Sequence, residues 1–321
     1  MNKDLFKFVI RFSLFILPLL LVEFAIEYKL SLLPTSYALK KQHLEQYASD
    51  IEVLTFGSSH GLYNINPDLF SKFGFNFANS GQSLILDTKL SLEWLDKLPK
   101  LKLIVLPISY FSLKYRLIRG DEFWRDTFYF KTYGVSENAE PSFLLKLDPR
   151  YQLRLWMFGP QHLFELLSDN PFRSALLGKN ISEKGWLSAD VPSAEQKAKF
   201  NDADGRRQVK RHENLMHEDL LGSNLAALDS LIRAAQNKKV NLVFITTPVS
   251  QAYWKAIDSK KLSDMRSSIE NLCEKYSVNY YNYLQDGRFN IDDFYDYDHL
   301  NKNGAQKFSR FLDKEVIKKE F

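Results

Sequence analysis

The run Ile51-Glu52-Val53-Leu54-Thr55-Phe56-Gly57-Ser58-Ser59-His60 decides how the chain is read. Ile51 to Phe56 is short, apolar and β-branched, the pattern of a buried strand. Gly57 then lets the backbone turn tightly enough to leave a hydroxyl exposed. Such strand-to-loop turns lie at the carboxyl edge of open α/β sheets, where ligands bind. Asn64 to Phe73 follows as a turn into a short helix, with Asn66 as N-cap and Pro67 at the first helical position. Taken alone, Gly57-Ser58-Ser59 reads better as an ordinary turn whose hydroxyls bond nearby backbone groups.

The far end of the chain shifts that balance. Asp296-Tyr297-Asp298-His299-Leu300-Asn301 precedes Lys302-Asn303-Gly304-Ala305 and an amphipathic run to Ile317. A serine hydroxyl is a weak nucleophile that needs an adjacent base, and the base needs an orienting group. Asp296 and His299 are three residues apart, so in a tight turn both can face one way. The carboxylate could hold one ring nitrogen while the other reaches Ser59. The plainer account makes Asp296, Asp298 and Asn301 turn and cap residues, with His299 a bystander.

With both ends in view, the chain resembles the SGNH (GDSL-like) hydrolase superfamily, through Gly57-Ser58-Ser59 as first block and Asp296-x-x-His299 as last. Asn79-Ser80-Gly81 falls where the second block supplies an oxyanion-hole glycine. Ser58 replaces the usual aspartate, as in the membrane-anchored branch that includes the teichoic-acid D-alanyl-transfer protein and alginate O-acetyltransferase relatives. The third block departs: Leu106-Pro107-Ile108-Ser109-Tyr110 stands where Gly-x-Asn-Asp is expected, leaving Ser109 as a stand-in for the missing asparagine. The resemblance covers about residues 50–110 and 218–316. It implies Ser59, His299 and Asp296 as catalytic residues, Ser59, Gly81 and Ser109 as oxyanion donors, and no cofactor. The fold it implies is a flavodoxin-like SGNH three-layer α/β sandwich with a parallel sheet, an N-terminal transmembrane helix and a large, mostly helical insertion.

At 321 residues, 45% hydrophobic and 26% charged, the chain can hold one large α/β domain with an insertion. A net charge of +4, spread along the chain, points to no nucleic-acid partner. The single cysteine, Cys273, excludes an internal disulfide and reads as an indifferent thiol on a helix. No Cys/His cluster has metal-ligand spacing, so no metal is expected; His162, His212 and His217 read as surface or loop residues.

Residues 5–26 are apolar and long enough to cross a bilayer core of ~30 Å. Lys3, Lys7 and Arg11 precede or enter the run while Glu23 and Glu27 lie at its other end, which keeps residues 1–4 cytoplasmic and exports the rest. A small-x-small cleavage site is lacking, so the segment reads as an uncleaved anchor in the cell membrane rather than a signal peptide. Residues 27–50 read as a stalk. The α/β domain then comprises 51–109 and 218–321, around an insertion at 110–217.

Within the domain, Phe75 to Asn79 and Leu101 to Ile108 are the next two strands, with a helix from Ser83 to Leu98 between them. After a helix at Glu218–Asn237, strands follow at Val240–Thr246 and Val278–Leu284, with a helix at Ser263–Tyr276. This β-α alternation calls for a parallel sheet covered on both faces. The insertion is rich in aromatics and arginine, including Tyr110, Phe111, Tyr115, Arg116, Phe123, Trp124 and Phe128, with a helix-like stretch at His162–Leu167 and a polar mobile loop at Asn201–Arg211. Either it is a lid whose aromatics stack on sugar rings, or it is a small helical core with membrane-surface contacts.

The expected function is transfer of an acyl group, acetyl first among them, to an extracytoplasmic envelope polysaccharide through a Ser59 acyl-enzyme. A multispanning membrane partner would supply the acyl donor. A carbohydrate esterase with the same residues, and an inactive scaffold or glycan-binding module, are the alternatives.

Overall fold

The computed structural model describes residues 3–138, 142–158 and 176–321. Five parallel strands, β1 (Val53–Thr55), β2 (Gly74–Asn76), β3 (Leu103–Pro107), β4 (Asn241–Thr246) and β5 (Asn279–Asn282), form one sheet in the order β2-β1-β3-β4-β5. This is the flavodoxin-like order, whose switch point opens a crevice between β1 and β3. In the register, Leu54 lies opposite both Phe75 and Ile104, and Leu106 lies opposite Phe244.

Alternate side chains feed two cores. Leu54, Ile104, Leu106, Leu242 and Phe244 join one cluster with Leu86 and Leu90 of helix Leu84–Trp94 and Leu228 and Leu231 of helix Leu221–Asn237. Val53, Leu103, Val105, Val243 and Ile245 face the other way, onto Ala305, Phe308 and Leu312 of helix Lys302–Leu312. Burial on both faces is why the strands read as unbroken apolar runs instead of alternating ones. The result is a three-layer α/β sandwich.

At the N-terminus, helix α1 (Lys3–Ser31) continues five residues beyond the expected anchor. Its upper part exposes apolar side chains all round, among them Leu14, Phe15 and Phe24, and it is long and apolar enough to cross a membrane. Twenty-nine residues rise about 43 Å at 1.5 Å each, more than a bilayer core needs. The surplus is embedded in the body: Leu30 is buried, and Glu27 accepts from the Arg154 N–H at 2.7 Å.

The stalk expected at 27–50 is therefore corrected. Helix α2 (Ser36–Gln46), started by Thr35 accepting from the Ala38 N–H, buries Tyr37, Lys40 and Leu44, a 3-then-4 spacing that turns one face to the core. Lys40 is fully buried and donates to the Ala78 carbonyl; burial holds its ammonium well below the usual lysine range.

Many of the insertion's aromatics belong to the core. Tyr110, Phe111, Tyr115, Trp124, Phe128 and Tyr129 are buried, and Tyr37 stacks on Phe128 with centroids 5.3 Å apart, while Phe123 remains exposed. Asn201–Arg211 is a helix, not a loop: Asp202–Asn214, capped by Asn201. It buries only Gly205 and Val209, so it carries no apolar stripe to announce it. His162–Leu167 lies outside the described residues.

Candidate active site

Ser59 opens a six-residue helix (Ser59–Asn64) directly after the β1 turn. Gly57 makes the turn possible at φ +107°, and an added Cβ there would lie 3.1 Å from Pro107 Cδ. Its N–H donates to Asp87 Oδ1 at 2.9 Å, and Gln82 Nε2 donates to the same oxygen at 2.6 Å. Asn64, fully buried, ties this helix to the far end of the chain. Its amide nitrogen donates to Thr247 Oγ1, and its oxygen accepts from the Leu300 N–H at 2.8 Å.

Burial pushes the Asp87 carboxyl up to about 7, only partly offset by the Gln82 and Gly57 donors. A carboxyl raised in the fold stabilises fully below its unfolded value of about 3.9, and that contribution is lost as pH rises through 7. Asp87→Asn, which keeps an oxygen for both donors, is therefore expected to raise the melting temperature relative to wild type at pH 8.5. The gain should be on the order of 3 kcal/mol there and shrink toward pH 5. Thermal melts across that range check it; a gain that does not depend on pH would refute the account.

The loop bearing His299 is pinned by an antiparallel bridge between Phe294 and Leu300. Asp296 Oδ1 accepts from the backbone N–H groups of Asp298 (3.0 Å) and His299 (2.8 Å), while Oδ2 pairs with His299 Nδ1 at 2.9 Å. Asp296 is thus both the turn residue of the plainer reading and the holder of the ring. His299 Nε2 meets Ser59 Oγ at 2.8 Å. The three residues form one hydrogen-bonded line that can draw the hydroxyl proton onto the imidazole.

Ser59 and His299 border a cavity of about 230 Å³ shared by Ser58, Tyr63, Ser80, Gly81 and Tyr115, with Asp296 behind the ring. Gly81 adopts φ +68°, and a Cβ there would lie within 3.3 Å of Leu117, Glu122 and the Tyr115 hydroxyl. Its carbonyl accepts from that hydroxyl at 3.1 Å, which fixes the peptide beside Ser59.

Ser109 is a correction. Its hydroxyl is buried and bonds His60 Nδ1 at 2.6 Å, its N–H donates to Ser112 Oγ, and it is not among the residues lining the cavity. It supports His60, the residue after Ser59, and does not stand at the Ser59 cavity as the expected oxyanion donor.

That neighbour reveals a second layer. His60 Nε2 bonds Asp298 Oδ2 at 2.9 Å, and Gln208 Nε2 donates to Asp298 Oδ1 at 3.1 Å. Asp298 is fully buried and lies 3.8 Å from the Nε2 atoms of both His299 and His212. His212, expected at the surface, is instead held here by Tyr253 through its Nδ1 and packs at a tilt against Phe111. The ligand-capable atoms of His60, Asp298 and His299 lie within 4.8 Å of one another, a convergence that sequence spacing did not show. In this arrangement they are committed to hydrogen bonds with Ser109, Asp296 and Ser59 and to each other.

Burial by itself would push the His299 imidazole down, but the carboxylates of Asp296 and Asp298 outweigh it and bring it up to about 9. Burial would likewise raise Asp298, but the surrounding histidines hold it below the usual carboxylate range. For His212 burial prevails over Asp298 and lowers it to about 4. Gln208 and Arg211 went unread in sequence, and His212 was placed at the surface, because the helix that carries them reads as a loop. Their 3- and 4-residue spacing, which places them on one helical face, was the available signal.

No family model matches the chain, and no curated protein sequence matches it. Among solved structures, it is similar to a Bacteroides fragilis protein provisionally assigned as an acylhydrolase, at 10% identity over 92% of this chain and 95% of that one, with a TM-score of 0.40. It is also similar to a GDSL-like lipase from Bacteroides thetaiotaomicron, at 12% identity over 89% of this chain and 100% of that one, with a TM-score of 0.41.

Proposed function

We propose that this chain is a membrane-anchored, SGNH-type serine enzyme that transfers an acyl group, acetyl first among them, to an extracytoplasmic envelope polysaccharide. The observation that carries the reading is the hydrogen-bonded line Asp296–His299–Ser59 at the edge of a cavity that also contains Gly81. In the first half-reaction Ser59 Oγ attacks the ester carbonyl carbon and its proton passes to His299 Nε2. The tetrahedral oxyanion is met by the Ser59 and Gly81 N–H groups. Collapse breaks the bond to the donor's leaving group, which takes the proton from His299. A sugar hydroxyl then attacks the acyl-Ser59 carbonyl, His299 accepts its proton, and collapse returns that proton to Ser59 Oγ.

Several features support the details. The apolar α1, long enough to cross a bilayer and basic toward its N-terminal end, supports an anchor whose N-terminus stays cytoplasmic. An acyl donor made in the cytoplasm requires a multispanning partner, since this chain offers one apolar helix of sufficient length among the described residues. The cavity's Tyr63 and Tyr115 suit a carbohydrate acceptor. With no asparagine in the third block, one oxyanion donor is missing, which predicts turnover slower by roughly 10²–10³ than a site with the full set.

Intact-mass spectrometry after exposure to an activated acetyl ester tests the proposal. The expected result is a single acetyl adduct on Ser59 that decays faster when a carbohydrate acceptor is added. Decay into water alone, at a rate indifferent to acceptor, would make the chain an esterase. Absence of any adduct on Ser59 would favour a non-catalytic scaffold.

A further inference from the structure

We propose that a second cavity, behind the His299 loop, is a binding subsite for a neutral saccharide segment. It extends the acceptor reading above, and its test does not depend on acyl transfer. The cavity measures about 650 Å³, larger than the one at Ser59 and within the range of small-ligand sites. It lies at the carboxyl edge of the sheet, past the ends of β4 and β5.

Three features of its wall specify the ligand. The first is Ser250, which is 2% exposed and borders the cavity. It occupies the N-cap of helix Gln251–Trp254, yet its hydroxyl makes no capping bond and has no partner in the structure. A buried hydroxyl without a partner is uncommon, and this one, just covered by the wall, would be met by a ligand only where the wall gives way slightly. The second is aromatic surface: Trp254 and Phe289 border the space half-buried, and Phe200 stacks on Tyr297 with centroids 4.9 Å apart. The third is charge. Lys197 is held by Asp292 at 2.8 Å and Asp286 by Arg288 at 2.5 Å, the exposed Asp202 adds a carboxylate unfavourable to an anionic ligand, and Gln251 and Gln285 add exposed amides. Ring faces, exposed amides and a hydroxyl just beneath the wall, with the bordering Lys197 already paired, match the C–H faces and hydroxyls of uncharged sugars better than an anionic chain.

The cavity is joined to the catalytic loop. Tyr297 stands between Asp296 and Asp298; its carbonyl accepts from the Ser250 N–H at 2.9 Å, and its hydroxyl accepts from the Asn201 N–H at 3.0 Å. Asn201 caps the helix whose Gln208 and Arg211 reach the Ser59 cavity. Residues 202 to 211 span about 14 Å of helix, so an oligosaccharide could touch both places at once.

The test is calorimetric titration of the full chain in detergent with cellotetraose, maltotetraose and N-acetylchitotetraose, and with tetragalacturonate as an anionic comparison. At least one neutral tetrasaccharide should bind with a Kd of about 1 mM or tighter, and Ser59→Ala should bind it equally well. Trp254→Ala should weaken binding about tenfold, while Trp254→Phe, which keeps a ring and reports on folding, stays within about threefold of wild type. No binding of any neutral probe up to about 10 mM would overturn the proposal. So would binding that Trp254→Ala leaves intact, or a preference for tetragalacturonate. A chain that binds saccharide but never acylates Ser59 would refute the enzymatic reading and leave this one standing; the reverse pattern would do the opposite.

Discussion

Ser59→Ala is expected to eliminate the acyl adduct and to lower p-nitrophenyl acetate turnover by at least about 10⁴-fold. The hydroxyl is the atom that His299 Nε2 meets at 2.8 Å, and alanine leaves nothing to attack with. His299→Ala should lose a similar factor, and the double variant should lose little more, because the two groups act as one unit. Asp296→Asn separates the two duties of Asp296. An amide oxygen can still accept from the backbone N–H groups of Asp298 and His299, so the turn survives, but the ring loses its anionic holder. That variant should fold and still lose roughly 10³–10⁴ in turnover. The checks are initial rates alongside intact mass. A Ser59→Ala protein that keeps more than about 1% of wild-type turnover would remove Ser59 from the mechanism.

The second large effect concerns pH. A general base must be neutral to accept a proton, and two carboxylates bring His299 up to about 9. The acid limb of kcat/KM should therefore sit near pH 9, with only about 1% of the base free at pH 7. Asp298→Asn removes the buried charge 3.8 Å from Nε2 and should move that limb down by at least about one pH unit. Stability should follow the opposite course. An imidazole raised in the fold contributes fully below its unfolded value of about 6.5, and the contribution is lost as pH rises through 9. Wild type should thus gain activity over the interval in which its melting temperature falls, and Asp298→Asn should flatten both trends. An acid limb that stays in place in Asp298→Asn would mean that Asp296 alone sets the base.

The elements legible in the sequence were those in which one local pattern matched the tertiary environment. The β1 run, Gly57 and the Asp296-x-x-His299 spacing could be read because strand burial, backbone permissiveness and a three-residue turn are each visible in a few consecutive residues. The parallel sheet followed from apolar runs whose two faces turn out to be buried against different helices. The misread parts share a different cause. Helix Asp202–Asn214 is held by a cap, charged turns and two small contacts, so no periodic apolar signal exists. The buried Lys40 hid the inward face of Ser36–Gln46 behind a residue type that is almost never fully buried. His60 and Asp298 were overlooked because their meaning is a long-range meeting, 238 residues apart in sequence, rather than a motif. Ser109 illustrates the converse: alignment of blocks put it near the nucleophile, but its hydroxyl is turned toward His60.

The seating of the first two helices bears on how far the proposed active site could reach. Leu30 is buried at the end of α1, α2 packs into the core, and Lys40 grips the Ala78 carbonyl three residues before Gly81. A catalytic domain on a leash would sweep a hemisphere and meet substrates at many heights above the membrane. This one is mounted on a bracket, with the strand of chain that delivers Gly81 bolted to it. With α1 as the proposed anchor, this seating would hold the mouth of the cleft at a near-constant height above the bilayer, so that acceptor polymers passing beyond that shell would escape the proposed reaction however abundant they are.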